Sequence, residues 1–199
     1  MTLAPTRRLS LSKLAALAAA VLAIAAGGCR DITGLPASLP VISDSGVVYA
    51  INGAPAGAPT ALEMFTGTLL PADAAFLFDI AFDIDSVGHV VILPQRVVAN
   101  GLATTHSVAL RIDTVAYESL IRAPTGGYRS DTALVTVPGR MILVQSTNPT
   151  ACSTSLTGTT IFAKIIADVV DPATRQLVVR YTIDPNCGFR SFQSGIPKD

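Results

Sequence analysis

The stretch FLFDIAFDID, residues 76–85, alternates between apolar and polar positions along most of its length. Phe76, Phe78, Ile80, Phe82 and Ile84 share one face of an extended chain, and Leu77, Asp79, Ala81, Asp83 and Asp85 share the other. The pattern predicts a half-buried β-strand. Its aspartates then form a solvated face that discourages pairing with other sheets. Residues 86–88 (SVG) turn the chain into a second strand at 89–93.

The same period recurs outward from this run. Residues 161–170 and 176–183 flank the turn DPATR, with Ile161, Ala163, Ile165, Ala167 and Val169 on one face. Shorter extended runs fall at 47–51, 62–70, 97–99, 107–114, 118–122, 133–137 and 141–145, the last two on either side of Pro138-Gly139. Apart from a short helical turn at 71–75, no amphipathic helix is expected. About nine to eleven short strands with Pro/Gly turns between them predict an all-β protein, an antiparallel β-sandwich or barrel. No unit of 20–50 residues recurs, which excludes a solenoid or propeller.

Composition agrees with one globular domain. The chain has 199 residues, 50% of them hydrophobic and 6% aromatic, with no Trp. Fourteen basic and fourteen acidic groups cancel, but Arg7, Arg8 and Lys13 sit in the first 28 residues. From Cys29 onward, 11 basic groups face 14 acidic ones, a net charge of −3. A mildly acidic domain with Lys164 and Lys198 as its lysines lacks the basic footprint of a nucleic-acid binder, so no nucleic-acid partner is expected.

The N-terminus reads as an address. Arg7, Arg8 and Lys13 precede thirteen apolar residues, 14–26, and then two glycines and a cysteine. Thirteen residues suit a signal-peptide core, whereas a membrane-crossing helix needs about 20. The junction Ala26-Gly27-Gly28-Cys29 resembles the lipobox of bacterial lipoproteins, with Ala26 where Leu is favoured. The resemblance covers the first thirty residues. It implies a signal peptide over 1–28, lipidation of Cys29, and membrane attachment through that lipid. Arg30 stands where an Asp would retain many such proteins at the inner membrane, which favours the outer membrane. Residues 29–46 then serve as lipidated cysteine and tether, and 47–199 as a single β-rich domain. With Cys29 lipidated, Cys152 and Cys187 remain, and an even pair in an exported domain is most simply a disulfide.

Chemistry is harder to find. Asp83 and Asp85, followed by the 86–88 turn, are weak calcium candidates, but the EF-hand pattern is not met and a solvated face is preferred; no metal or other cofactor is expected. His89 and His106 are the histidines available, able to pair with each other or with Asp113. No Gly-x-Ser-x-Gly elbow, His-Glu-x-x-His or P-loop occurs, so no catalytic residue is assigned. The hydroxyl-rich stretch 146–160 around Cys152 reads as a recognition loop or a plain connection, and Phe189 and Phe192 as clamps of the C-terminus on the core.

The expectation is a lipid-anchored cell-envelope protein with a non-enzymatic binding or structural β-domain, with an envelope protein as a possible partner. Two alternatives stand beside it. One is a periplasmic or outer-membrane barrel holding an apolar ligand against the 76–84 face; the other is a hydrolase with an unrecognised site.

Overall fold

A computed structural model describes residues 36–198, apart from 74, 101, 103 and 105. The period-two runs form two antiparallel sheets. The larger is built of β1 (Ile42–Tyr49), β6 (Ser107–Asp113), β7 (Arg129–Ser130), β9 (Met141–Thr147), β10 (Thr160–Asp171) and β11 (Gln176–Asp184), in the order β1-β11-β10-β9-β6-β7. The smaller holds β2 (Ala61–Glu63), β3 (Thr68–Leu70), β4 (Ile80–Ile84), β5 (Val90–Pro94) and β8 (Leu134–Thr136), in the order β3-β2-β4-β5-β8. Eleven strands in two open sheets make an antiparallel sandwich.

Alternation explains the core. Ile142 and Val144 of β9, with Ile161, Ala163 and Ile165 of β10, are at most 1% exposed and face Leu62, Ile80, Phe82 and Ile92 of the smaller sheet. Each such aliphatic or aromatic side chain contributes roughly 1.5–3 kcal/mol on burial. The face of β4 that would line a ligand-carrying barrel is therefore packed solid. Val169, expected on the same face as Ile165, is 54% exposed, because the β10–β11 register slips between Ala167 and Val169. A bulge flips parity beyond it.

Both outer faces are partly covered. Ala81 of β4 packs with Phe78 and Ala61, and Leu93 and Val98 lie against them, so β4 is buried on both sides rather than half-buried. On the larger sheet, Tyr117, Ala123 and Phe192 cover Met141, Leu143 and Phe162. Phe192 thus clamps the terminus as expected.

Several expected strands take other forms. Residues 97–99 belong to a short helix, α1 (Gln95–Ala99), and 118–122 give a 3-10 turn at Tyr117–Ser119 followed by one bridge, Arg122 to Ser191. Residues 71–73 are irregular rather than helical. The run 62–70 is a hairpin of β2 and β3 whose turn requires Gly67. That residue has φ +72°, and a Cβ there would meet Ile42 Cγ2 at 2.9 Å. The Pro138-Gly139 turn carries the chain from one sheet to the other.

The domain also begins earlier than expected. β1 starts at Ile42, inside the stretch read as tether, and Ser38 N and Leu39 N donate to Asn186 Oδ1 at 2.9 Å each. Residues 1–35, which include the expected signal peptide and Cys29, lie outside the described residues.

Cys152 and Cys187 form the expected disulfide, 35 residues apart. In the chain-entropy account, a loop of that length contributes about 3–4 kcal/mol. Cys152→Ser is expected to lose about that much in urea unfolding. Two freely alkylated thiols in the native protein would refute the bond.

Candidate functional site

Phe76 has φ +48° and residue 79 is a bend, so the alternation breaks just before β4. Phe78 is left facing outward with Ala81, and Asp79 is turned toward the larger sheet. The expectation that Asp79 is solvated is overturned: it is 0% exposed. Its Oδ2 accepts from Met64 N at 2.6 Å, and its Oδ1 accepts from Ser146 Oγ. His106 Nδ1 lies 3.0 Å from the same Oδ1, at ion-pair distance but outside hydrogen-bond geometry.

Parity puts these groups together. Ser146 follows Ile142 and Val144 on the inner face of β9, and His106 precedes Val108 and Leu110 on the inner face of β6. Gln95 of α1 completes the cluster. Its Nε2 donates to Phe76 O at 2.6 Å and Phe78 O at 2.8 Å, and its Oε1 accepts from His106 N at 3.3 Å. Buried polar groups need such partners, and here a carboxylate ties one sheet to the other.

Serine, histidine and aspartate thus converge in space, a grouping not foreseen from the sequence. The wiring is not that of an activated nucleophile. Such a serine donates its proton to a histidine that a carboxylate orients. Here Ser146 donates to the carboxylate itself, and it is 0% exposed. A water-shielded strut fits the geometry.

The other candidates disperse. Asp83 is buried too, which again corrects the solvated face. It receives Arg175 Nη2 at 2.6 Å, Asn52 Nδ2 at 2.5 Å and Ile84 N at 2.8 Å. Asp85 instead receives Val87 N and His89 N, and lies 2.9 Å from His89 Nδ1. The two carboxylates serve different donors, and no group of three metal-ligating side chains occurs among the described residues. His89 and His106 therefore pair with Asp85 and Asp79, neither with each other nor with Asp113, whose partner is Arg111 at 3.1 Å.

Lys164 is a second unforeseen feature. It projects from β10 to the outer side, under the layer formed by residues 117–123 and Phe192, and is 4% exposed. Its Nζ donates to Tyr117 O at 2.6 Å and Leu120 O at 3.1 Å, and lies 4.3 Å from the Tyr117 ring centroid. Burial pushes its ammonium below the ordinary lysine value; Glu118 opposes the shift and Arg180 adds to it. The guanidinium of Arg180 stands 4.7 Å from the same ring and pairs with Asp168 and Glu118. Beside them opens a surface pocket of about 400 Å³ reaching Asp44 and Thr182. A second groove, about 350 Å³, runs between β6 and β8, with Ile112, Arg129 and Leu134 among its walls.

The hydroxyl-rich loop at 148–159 is drawn onto the end of β11. Thr157 Oγ1 and Ser155 Oγ both donate to Cys187 O, and Asn148 Oδ1 accepts from Ala151 N at 2.9 Å. Gly188 permits the approach: its φ is +88°, and a Cβ there would fall 2.4 Å from Thr157 O. These hydroxyls serve the loop's own turns and its seam with the C-terminal segment. No family model matches the chain, and no curated protein or solved structure does either.

Proposed function

We propose that the chain is a lipid-anchored cell-envelope protein, attached through Cys29 and favouring the outer membrane, whose sandwich binds or braces rather than catalyses. The observation that carries the proposal is the Cys152–Cys187 bond. It accounts for two of the chain's three cysteines and belongs to an oxidising compartment. Cys29 is left at the end of the thirteen-residue apolar run, where the lipobox resemblance lies.

The inward wiring of Asp79 and Ser146 supports the non-catalytic half, because the serine donates to the carboxylate, with His106 beside them, in the buried interior. The packed face of Ile80, Phe82 and Ile84 takes support from the ligand-carrying barrel. Binding is left to the pockets and poles of the outer surface, with an envelope protein as the partner class.

Cys29→Ala is expected to move the protein from membranes into the soluble exported fraction. Lipid chains hold a protein through roughly 0.8 kcal/mol per buried methylene, so their loss leaves no comparable anchor. Continued sedimentation of the variant with membranes after a carbonate wash would refute the proposal.

A further inference from the structure

One end of the sandwich gathers four separate segments. Asp184, at the end of β11 and 0% exposed, accepts from Asn186 N at 3.1 Å and Ser191 N at 2.9 Å. Asn186 holds Ser38 and Leu39, Ser191 bridges to Arg122, and Val41 N donates to Gly195 O at 2.9 Å. The disulfide brings in the 148–159 loop. Each segment presents an exposed aliphatic side chain: Leu39, Ile121, Leu156 and Ile196 are 39, 57, 86 and 53% exposed. Single exposed aliphatics are ordinary; four carried by segments tied to one hub give this end of the sandwich an apolar character.

Charge separates this pole from the acidic remainder. Arg190 and Lys198 lie on these segments, while Asp184 is buried and Glu118 is paired with Arg180. Length then constrains what the pole faces. Only residues 30–35 separate Cys29 from Pro36, a span of at most about 25 Å when fully extended. The twelve residues of β10 alone run about 40 Å. A lipid on Cys29 can therefore be reached from the pole that holds Pro36 and not from the far one.

We infer that this pole is a membrane-docking surface. Leu39, Ile121, Leu156 and Ile196 enter the headgroup region of an anionic bilayer, and Arg190 and Lys198 meet its lipid phosphates. The inference rests on the lipid anchor proposed above and adds an orientation to it.

The chain has no Trp, so one introduced indole reports alone. Leu156→Trp suits this use because the side chain is 86% exposed and supports no core. The test uses the full lipidated chain in phosphatidylcholine vesicles containing phosphatidylglycerol, with and without brominated acyl chains. Leu156→Trp emission is expected to shift to the blue and fall to about half with brominated lipid, since interfacial side chains sit about 5–10 Å deep. Val87→Trp should not respond. It lies on the turn beside Pro172, at the opposite end of β10.

A chain that floats with the vesicles while both reporters stay unquenched would overturn the docking surface and leave the anchor standing. A chain that neither floats nor responds would overturn both. Quenching of Leu156→Trp in a Cys29→Ala background, on anionic but not neutral vesicles, would sustain the docking surface without the anchor.

Discussion

Asp79→Ala is expected to lower the unfolding free energy by about 3–5 kcal/mol, the range for removing one partner from a buried charged hydrogen-bond network. The carboxylate accepts from Met64 N and Ser146 Oγ and lies against His106. Removing it strands a backbone N–H and a hydroxyl in the buried interior and leaves His106 without its neighbouring carboxylate. Ser146→Ala deletes one donor and leaves the carboxylate with Met64 and His106, so its loss should be nearer 1–2 kcal/mol. Combining the two should cost less than their sum, because the hydroxyl is stranded only while the serine is present. Urea midpoints with unchanged m-values give these numbers directly. A loss under about 1 kcal/mol for Asp79→Ala would mean that the strut does not brace the two sheets.

That strut also shows where the sequence is legible and where it is not. Strands β4, β5, β10 and β11 are written in local periodicity, and the turns at 86–88 and 171–175 in local composition, so both can be read without partners. The lipobox resemblance at Cys29 similarly sets the Cys152–Cys187 pair apart in the sequence. Asp79 resists such reading because its environment is non-local. Its donors come from positions 15 and 67 residues away, and the bend after Phe76 breaks the parity that would place it. An aspartate in an alternating run is exposed by default, and only those partners reverse the default.

Lys164 is hidden for a related reason. The alternation puts it correctly on the outer face of β10, but the covering layer comes from residues 117–123 and Phe192, which carry no period that announces a lid. Residues 97–99 misled differently. Val97 and Val98 favour strands by propensity, yet they sit in a single helical turn whose Val98 packs beside Ala81 and Phe78. The site is thus less legible than the fold, since its polar members are placed by tertiary packing.

The same covering layer makes the protein sensitive to alkali. Burial pushes the Tyr117 hydroxyl up to about 12, and the hydrogen bond with Thr182 only partly opposes the shift. Burial likewise pushes Tyr128 up to about 12, against the nearby charges of Arg111 and Arg190. A phenol whose folded value lies above its ordinary 10.0 keeps its proton in the native state after the unfolded chain has lost it. Its stabilisation is complete below pH 10 and disappears as pH rises from 10 to 12. A rise of about two units corresponds to about 2–3 kcal/mol for each tyrosine, so the pair should lose about 5 kcal/mol across the window. Lys164 works in the opposite sense. Its value is lowered by burial, so stability gains as pH climbs from that lowered value to 10.5. Comparing variants with the parent cancels that contribution. Tyr128→Phe should retain about half of the alkaline loss, and it should cost nothing near neutral pH, because the Tyr128 hydroxyl is buried without a hydrogen-bond partner. Tyr117→Phe should also halve the loss, but it sacrifices the 3.0 Å hydrogen bond to Thr182 at every pH, worth about 1 kcal/mol. Urea midpoints at pH 8, 10 and 12, with tyrosinate absorbance followed in parallel, separate the two hydroxyls. Equal pH dependence in the parent and in both variants would show that these hydroxyls titrate alike in the folded and unfolded chain, and that the layer over β10 does not exclude water.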